Sequence, residues 1–296
     1  MDNFVTILIF ALLLAFLLYF ALNRSRGELI SNGQRRKYLL HVPHTYDPNH
    51  PTALIISLHG FKDWPARQKR KSGWNELSEQ EGFIVVYPKG QGIPLFWRMF
   101  KNDGGLVPSM ENVTFIADLI DHLSTKYNID TGHIYVNGFS NGGGMAYMLG
   151  CMLSDRIAAI GCVSGAYIFL PERCKATRPV PMIAFHGTGD KVVPYYGGTT
   201  KRSHYSFPSI PDLIAKIAKQ NGCNPAPKTI ESEYGIEGIW YSDSHHRTDV
   251  ILYTIPDWGH AWSKENREGC YLTIKRQKPF SSTKEMWKFF KKHSLE

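Results

Sequence analysis

His133-Ile-Tyr-Val-Asn-Gly138-Phe139-Ser140-Asn141-Gly142-Gly143-Gly144-Met145 carries the punctuation that decides the fold. It reads as a strand, an abrupt turn and the opening of a helix. A serine on such a turn must hold a strained backbone, and the strand below and the helix above leave room only for small residues two positions to either side. Gly138 and Gly142 supply them. The geometry would lift Ser140 Oγ above the carboxyl edge of a sheet. It also turns the free N–H groups of the helix start toward any oxyanion beside the serine, with Asn141 N–H the first candidate donor.

Outward from this turn, apolar runs of strand length recur at Tyr38–Val42, Ala53–Leu58, Phe83–Tyr87, His133–Val136, Ile157–Val163, Pro181–Phe185 and Val250–Ile255. Several are continuous rather than alternating, which is the pattern of strands covered on both faces. Helical periodicity falls between them, at Val113–Tyr127, Gly142–Leu153 and Ile210–Asn221, with Thr283–His293 closing the chain. Strand and helix alternation predicts an α/β domain, a mostly parallel central sheet with helices on both faces. The segment from Ser164 to Arg178 is short, so no large lid is expected.

A serine hydroxyl is a weak nucleophile near neutral pH and needs a histidine base, which needs a carboxylate to fix its tautomer. In Pro181-Met-Ile-Ala-Phe-His186-Gly-Thr-Gly189-Asp190, the acid Asp190 falls in the loop after a late strand. In Asp249-Val-Ile-Leu-Tyr-Thr-Ile-Pro-Asp257-Trp258-Gly259-His260, the base His260 follows the last strand. Asp257 is the weaker candidate acid, since it would have to fold back onto His260 within one turn. A second oxyanion donor is expected after the third strand, in Ile55-Ile-Ser-Leu-His59-Gly60-Phe61, where Phe61 N–H is the candidate. His59 and His186 read as structural groups. His245 and His246, near Asp243 and Asp249, lack the spacing of a closed metal site, so neither metal nor cofactor is expected. Aromatic residues near these loops, Trp97, Trp258, Trp64, Tyr195 and Trp262, are candidate substrate contacts.

The motifs Leu58-His-Gly60, Gly73–Pro88 (GWNELSEQEGFIVVYP), Tyr127–Asp130 (YNID), Gly138–Tyr147 (GFSNGGGMAY), Leu153–Ile160 (LSDRIAAI), Arg178–Gly198 (RPVPMIAFHGTGDKVVPYYGG) and Gly259–Trp262 (GHAW) together resemble the polyhydroxybutyrate depolymerase and feruloyl esterase family of α/β hydrolases, over residues 37–262. The resemblance implies the α/β-hydrolase fold and matches Ser140, Asp190 and His260 to the family's nucleophile, acid and base. It implies a serine carboxylic-ester hydrolase acting through an acyl-enzyme on feruloyl-type, hydroxyalkanoate polyester or short-chain esters, monomeric or polymeric. The alternatives are a serine peptidase of the same scaffold and a non-catalytic, membrane-tethered binding protein.

Composition and termini bound the rest. The chain has 296 residues, 43 % hydrophobic and 20 % charged, which excludes a disordered chain. Its formal charge of +8 comes from dispersed basic residues, so no nucleic-acid partner is expected. The uncharged stretch from Phe4 to Leu22 would span roughly 28 Å as a helix, and residues 1–26 read as a membrane anchor or signal-anchor ahead of a catalytic domain at 27–296. Arg24, Arg26, Arg35, Arg36 and Lys37 would hold the following domain in the cytoplasm, whereas the family resemblance implies an extracytoplasmic domain, secreted if the segment is cleaved. Of five cysteines, Cys151 and Cys174 flank one strand-like run and either pair or remain reduced thiols.

Overall fold

Alternation hidden inside the apolar runs sets the layers. In β3 (Thr52–Leu58), Leu54, Ile56 and Leu58 face one core cluster while Ile55 faces the other, so a run apolar at every position serves two faces. The same holds for β4 (Ile84–Pro88), with Ile84 and Val86 on one side and Val85 and Tyr87 on the other. The structure is a computed structural model that describes residues 26–101, 106–200, 203–232, 236–243, 248–263 and 280–295.

The remaining strands are β1 (Arg26–Ser31), β2 (Gln34–His41), β5 (Ile129–Phe139), β6 (Ala159–Val163), β7 (Met182–Gly187), β8 (Gly198–Thr200), β9 (Ser203–Phe207), β10 (Lys228–Glu231), β11 (Glu237–Tyr241) and β12 (Val250–Ile255). Ten of the twelve strands among the described residues form one sheet in the order β1-β2-β4-β3-β5-β6-β7-β12-β11-β10, and β8 with β9 make a small separate pair. The middle six are parallel, and antiparallel pairs extend both edges. Chain order reverses at β3, which has β4 on one side and β5 on the other, so a crevice opens beyond the carboxyl ends of β3 and β5.

The helices are α1 (Pro65–Ser72), α2 (Trp74–Glu81), α3 (Glu111–Ser124), α4 (Asn141–Met152), α5 (Ile210–Gln220) and α6 (Ser282–Phe290). On one face α3, α4 and α5 supply Phe115, Ile116, Met145, Leu213 and Ile214 to the larger cluster. On the other face α2 and α6 meet, where Phe290 stacks on Tyr135 at 4.7 Å and Phe83 lies 4.3 Å from Trp287. The basic residues of α6 thus ride on a helix whose opposite side is core. Between β6 and β7 the only helical structure is a single 3-10 turn, Pro171–Arg173, so this connection contributes no helical lid. Cys151 and Cys174 form a disulfide that ties the end of α4 to this turn, while Cys162 and Cys223 are buried thiols; Cys270 lies outside the described residues.

The expected fold needs one correction. No helix among the described residues is long and apolar enough to cross a membrane. The longest, α3, has 14 residues, about 21 Å against a hydrocarbon core of about 30 Å. Residues 4–22 lie outside the described set, and the expected transmembrane helix, with the membrane location built on it, is not supported.

Candidate active site

Ser140 stands between the last residue of β5 and the first of α4 with φ 55° and ψ −117°. That is a conformation costly for any residue with a Cβ, roughly 1–3 kcal/mol, and the surroundings leave it no alternative. Ser140 N–H donates to Val163 O at 3.0 Å, and its carbonyl accepts from Gly144 N–H at 3.0 Å and Ala166 N–H at 2.9 Å. The glycines explain the tight turn. A Cβ at Gly138 would sit 2.2 Å from Gly142 O, and one at Gly142 would sit 2.5 Å from His59 O.

The β3 loop closes against this turn. A Cβ on Gly60 would lie 3.5 Å from Ser140 Cβ, so the backbone of Gly60-Phe61 runs beside the serine. Phe61 N–H has no acceptor among the described residues, and Asn141 N–H, in the first turn of α4, has no carbonyl behind it. The Asn141 side chain is engaged elsewhere. Its Oδ1 accepts from Trp97 N–H at 2.6 Å and its Nδ2 donates to Trp97 O at 3.0 Å.

His59 holds the same loop. Gly90 N–H donates to Nε2 at 3.0 Å, which puts the proton on Nδ1, 2.8 Å from Gly60 O. Burial pushes its pKa down, with the Gly60 hydrogen bond opposing in part, and the neutral ring bridges two loops.

Asp190 and His260 meet at the ends of adjacent parallel strands. His260 Nδ1 is 2.7 Å from Asp190 Oδ2. A carboxylate can only accept there, so the proton is on Nδ1 and the Nε2 lone pair is free. The His260 ring packs on Phe139, centroids 4.9 Å apart, one residue before the serine. Asp190 Oδ1 accepts from Val192 N–H at 2.8 Å and Val193 N–H at 2.9 Å. His186 Nε2 donates to Val193 O at 2.9 Å and approaches Asp190 Oδ2 at 3.4 Å. Burial alone would raise the Asp190 pKa, but the hydrogen bonds from His186, His260 and Val193 outweigh it and hold the carboxyl far below its ordinary value. Asp257, the weaker candidate acid, is exposed, with φ 55°.

Two hydrogen bonds, one backbone to backbone and one to a threonine hydroxyl, fix the loops carrying acid and histidine to one another. Gly189 N–H donates to Trp258 O at 3.0 Å, and Asp257 N–H to Thr188 Oγ1 at 2.8 Å. Gly187 makes the approach possible, since a Cβ there would lie 2.0 Å from Trp258 O.

The aromatic candidates divide. Trp97 and Trp262 are each 1 % exposed, with Trp97 Nε1 donating to His59 O and Trp262 Nε1 to Thr283 Oγ1. The expectation that these two rings touch substrate is corrected: both are packed in the interior, and Trp97 braces the site from beneath. Tyr195 is buried against His186, its hydroxyl paired with Thr254. Trp258 is nearly buried and donates to Ala261 O. Trp64, 48 % exposed, precedes α1. His245 and His246 lie outside the described residues.

Sequence reasoning missed the clamp that the Asn141 amide makes on Trp97 and gave His186 no position against Asp190. Its spacing four residues before the acid, at a strand end, was the available signal.

A sheet of this topology, with a strained serine at the strand–helix turn and an acid–histidine pair on neighbouring strand ends, is the arrangement of the α/β-hydrolase fold. The phospholipase/carboxylesterase family model matches residues 107–210. Among curated relatives, the bifunctional acetylxylan esterase/xylanase of Neocallimastix patriciarum is 34 % identical over 163 residues, 55 % of this chain and 22 % of that protein. Feruloyl esterase B of Piromyces equi is 29 % identical over 236 residues, 76 % of this chain and 42 % of that protein. The chain therefore spans less than half the length of either. In fold, an acetyl xylan esterase from Aspergillus awamori superposes with a TM-score of 0.63 at 19 % identity, covering 90 % of this chain and 99 % of that one. The chain is thus similar to feruloyl and acetylxylan esterases and shares the α/β-hydrolase fold.

Proposed function

We propose that this protein is a serine carboxylic-ester hydrolase in which Ser140 is the nucleophile, His260 the base and Asp190 the carboxylate that orients it. The observation that carries this reading is the His260 Nδ1 to Asp190 Oδ2 hydrogen bond of 2.7 Å, on a ring packed against Phe139. With the Nδ1 proton held by Asp190, Nε2 takes the Ser140 proton as Oγ attacks the ester carbonyl, and the imidazolium formed is stabilised by the ionised acid. The N–H groups of Phe61 and Asn141 receive the oxyanion; one such donor is typically worth about 10²–10³ in rate. His260 then protonates the leaving alcohol, and water releases the acyl group by the reverse sequence.

The acyl group we propose is feruloyl-type or a short chain such as acetyl, on the strength of the relatives' names. Residues 27–296 act as one catalytic domain in this reading. The Cys151–Cys174 disulfide supports an oxidising compartment.

Nitrophenyl acetate and methyl ferulate, assayed with wild type and Ser140→Ala, test the proposal. Turnover by wild type alone is expected; equal turnover by both proteins rejects the mechanism.

A further inference from the structure

The two N–H groups proposed to receive the oxyanion belong to separate elements, Phe61 to the loop after β3 and Asn141 to the first turn of α4, so their spacing depends on what joins those elements. The stretch from Gly90 to Arg98, between β4 and α3, touches both. It meets the Gly60 loop through three hydrogen bonds: Gly90 N–H to His59 Nε2 at 3.0 Å, Lys62 N–H to Leu95 O at 2.9 Å, and Trp97 Nε1–H to His59 O at 2.9 Å. It meets α4 through two, both on the Asn141 carboxamide: Trp97 N–H donates to Oδ1 at 2.6 Å and Nδ2 donates to Trp97 O at 3.0 Å.

Trp97 makes contacts of both kinds. Its indole holds a carbonyl two residues before Phe61, and its peptide groups hold the side chain of the residue that bears the second donor. The tryptophan is itself pinned on either side along the chain. Phe96 exchanges peptide hydrogen bonds with Gln91 at 2.9 and 3.0 Å, and Arg98 O accepts from Asn112 Nδ2 at 3.1 Å. Asn112 is a buried α3 residue whose Oδ1 accepts in turn from Arg36 at 2.9 Å.

A carboxamide that both donates to and accepts from the peptide groups of one residue fixes direction as well as distance, because the two bonds do not survive a rotation together. Polar side chains at a helix start ordinarily cap that helix. Here α4 has no side-chain cap, and the Asn141 amide is spent on a different loop. We propose that Asn141, through its side chain, and Trp97 are positioning residues: together they form a strut between α4 and the Gly60 loop that sets the spacing of the two oxyanion donors. The inference rests on the esterase reading above, since a developing oxyanion is what gives that spacing a purpose.

Two variants test the strut. Asn141→Ala removes both bonds of the clamp but keeps the N–H, and Trp97→Phe removes the bond to His59 O while keeping a buried ring. Each is assayed on nitrophenyl acetate and titrated with phenylboronic acid, which becomes tetrahedral on a serine Oγ and so mimics the transition state. A small displacement of one donor is expected to lower kcat about 10²-fold in Asn141→Ala and about tenfold in Trp97→Phe, with KM within about twofold. Phenylboronic acid binding should weaken in parallel with kcat. The double variant should lose about 10²-fold rather than the product of the single losses, because both changes cut one strut. Thermal melting reports folding; should Asn141→Ala not melt cooperatively, Trp97→Phe decides under the same criteria. Wild-type kcat in a folded variant, single losses that multiply in the double variant, or a raised KM with undiminished boronate binding would overturn the strut. Equal turnover by wild type and Ser140→Ala would instead overturn the esterase reading beneath it.

Discussion

Asp190 and His260, 70 residues apart in the chain, share a 2.7 Å hydrogen bond because β7 and β12 are parallel neighbours in register, Gly187 opposite Ile255. The two loops leave the sheet at the same height, and the Gly189–Trp258 contact joins them. The pair is thus a property of the sheet edge rather than of either loop.

Asp190→Asn tests that pairing by chemistry rather than by shape. Oδ1 of Asp190 accepts two backbone N–H groups, so an asparagine there must keep its carbonyl oxygen in that place and turn its NH₂ toward His260. Nδ1 would then have to accept, which moves the proton to Nε2 and removes the base. A loss of about 10⁴-fold in kcat is expected, with the thermal transition nearly retained. Because hydrogen bonds overcome burial to hold the Asp190 carboxyl far below its ordinary value, the acid limb of the wild-type pH–rate profile belongs to another group.

The middle of this fold was legible because six parallel strands must be apolar on both faces, and continuous apolar runs such as Ile84–Pro88 stand out from helical periodicity. The edges were not. β10, Lys228-Thr-Ile-Glu231, buries no side chain fully and exists through its pairing with β11. α1 shows no apolar stripe, since its buried positions are Pro65, Gln68 and Ser72, and Gln68 is accommodated there by donating to Ser57 Oγ at 3.1 Å. At the site, residue types and chain order pointed to strand ends, while the orientation of a tryptophan did not follow: Trp97 and Trp64 both sit near active loops, yet one is core and the other surface.

The disulfide should matter for stability more than for turnover. Cys151 and Cys174 are 23 residues apart, and closing a loop of that length restricts the unfolded chain by about 3 kcal/mol. Replacing both by serine should lower the melting temperature by roughly 6–12 °C. It should leave kcat on nitrophenyl acetate within about twofold, because Cys151 lies near the far end of α4, about 16 Å along the helix from Ser140. Scanning calorimetry and steady-state kinetics on the same preparation would separate the two effects.

Acidification should destabilise the protein from about pH 6.5 downward. Burial drives the His293 imidazole down to about 4, Asp249 opposing, and His41 and His59 are lowered by burial as well. A histidine depressed in the folded state leaves the fold fully stable above the unfolded value of about 6.5. Below that the unfolded chain binds a proton that the folded one refuses, so stability falls between about 6.5 and 4, by up to about 1.4 kcal/mol per pH unit for each such group. Urea unfolding across this range should show the slope, and His293→Gln should flatten it; an unchanged slope in that variant would remove His293 from the account.

Ser140→Gly addresses the strain at the turn. The φ of 55° and ψ of −117° at Ser140 are open to glycine and expensive for serine, about 1–3 kcal/mol. Glycine also raises the entropy of the unfolded chain, which costs roughly 0.5–1 kcal/mol. The net expectation is a protein with no esterase activity whose unfolding free energy equals or exceeds wild type by about 1 kcal/mol. Ser140→Ala retains a Cβ and hence the strain, so it should lose activity without that gain. Comparing the two by chemical denaturation isolates the backbone contribution from that of the hydroxyl: if alanine and glycine shift the midpoint equally, the turn stores no strain that the serine imposes.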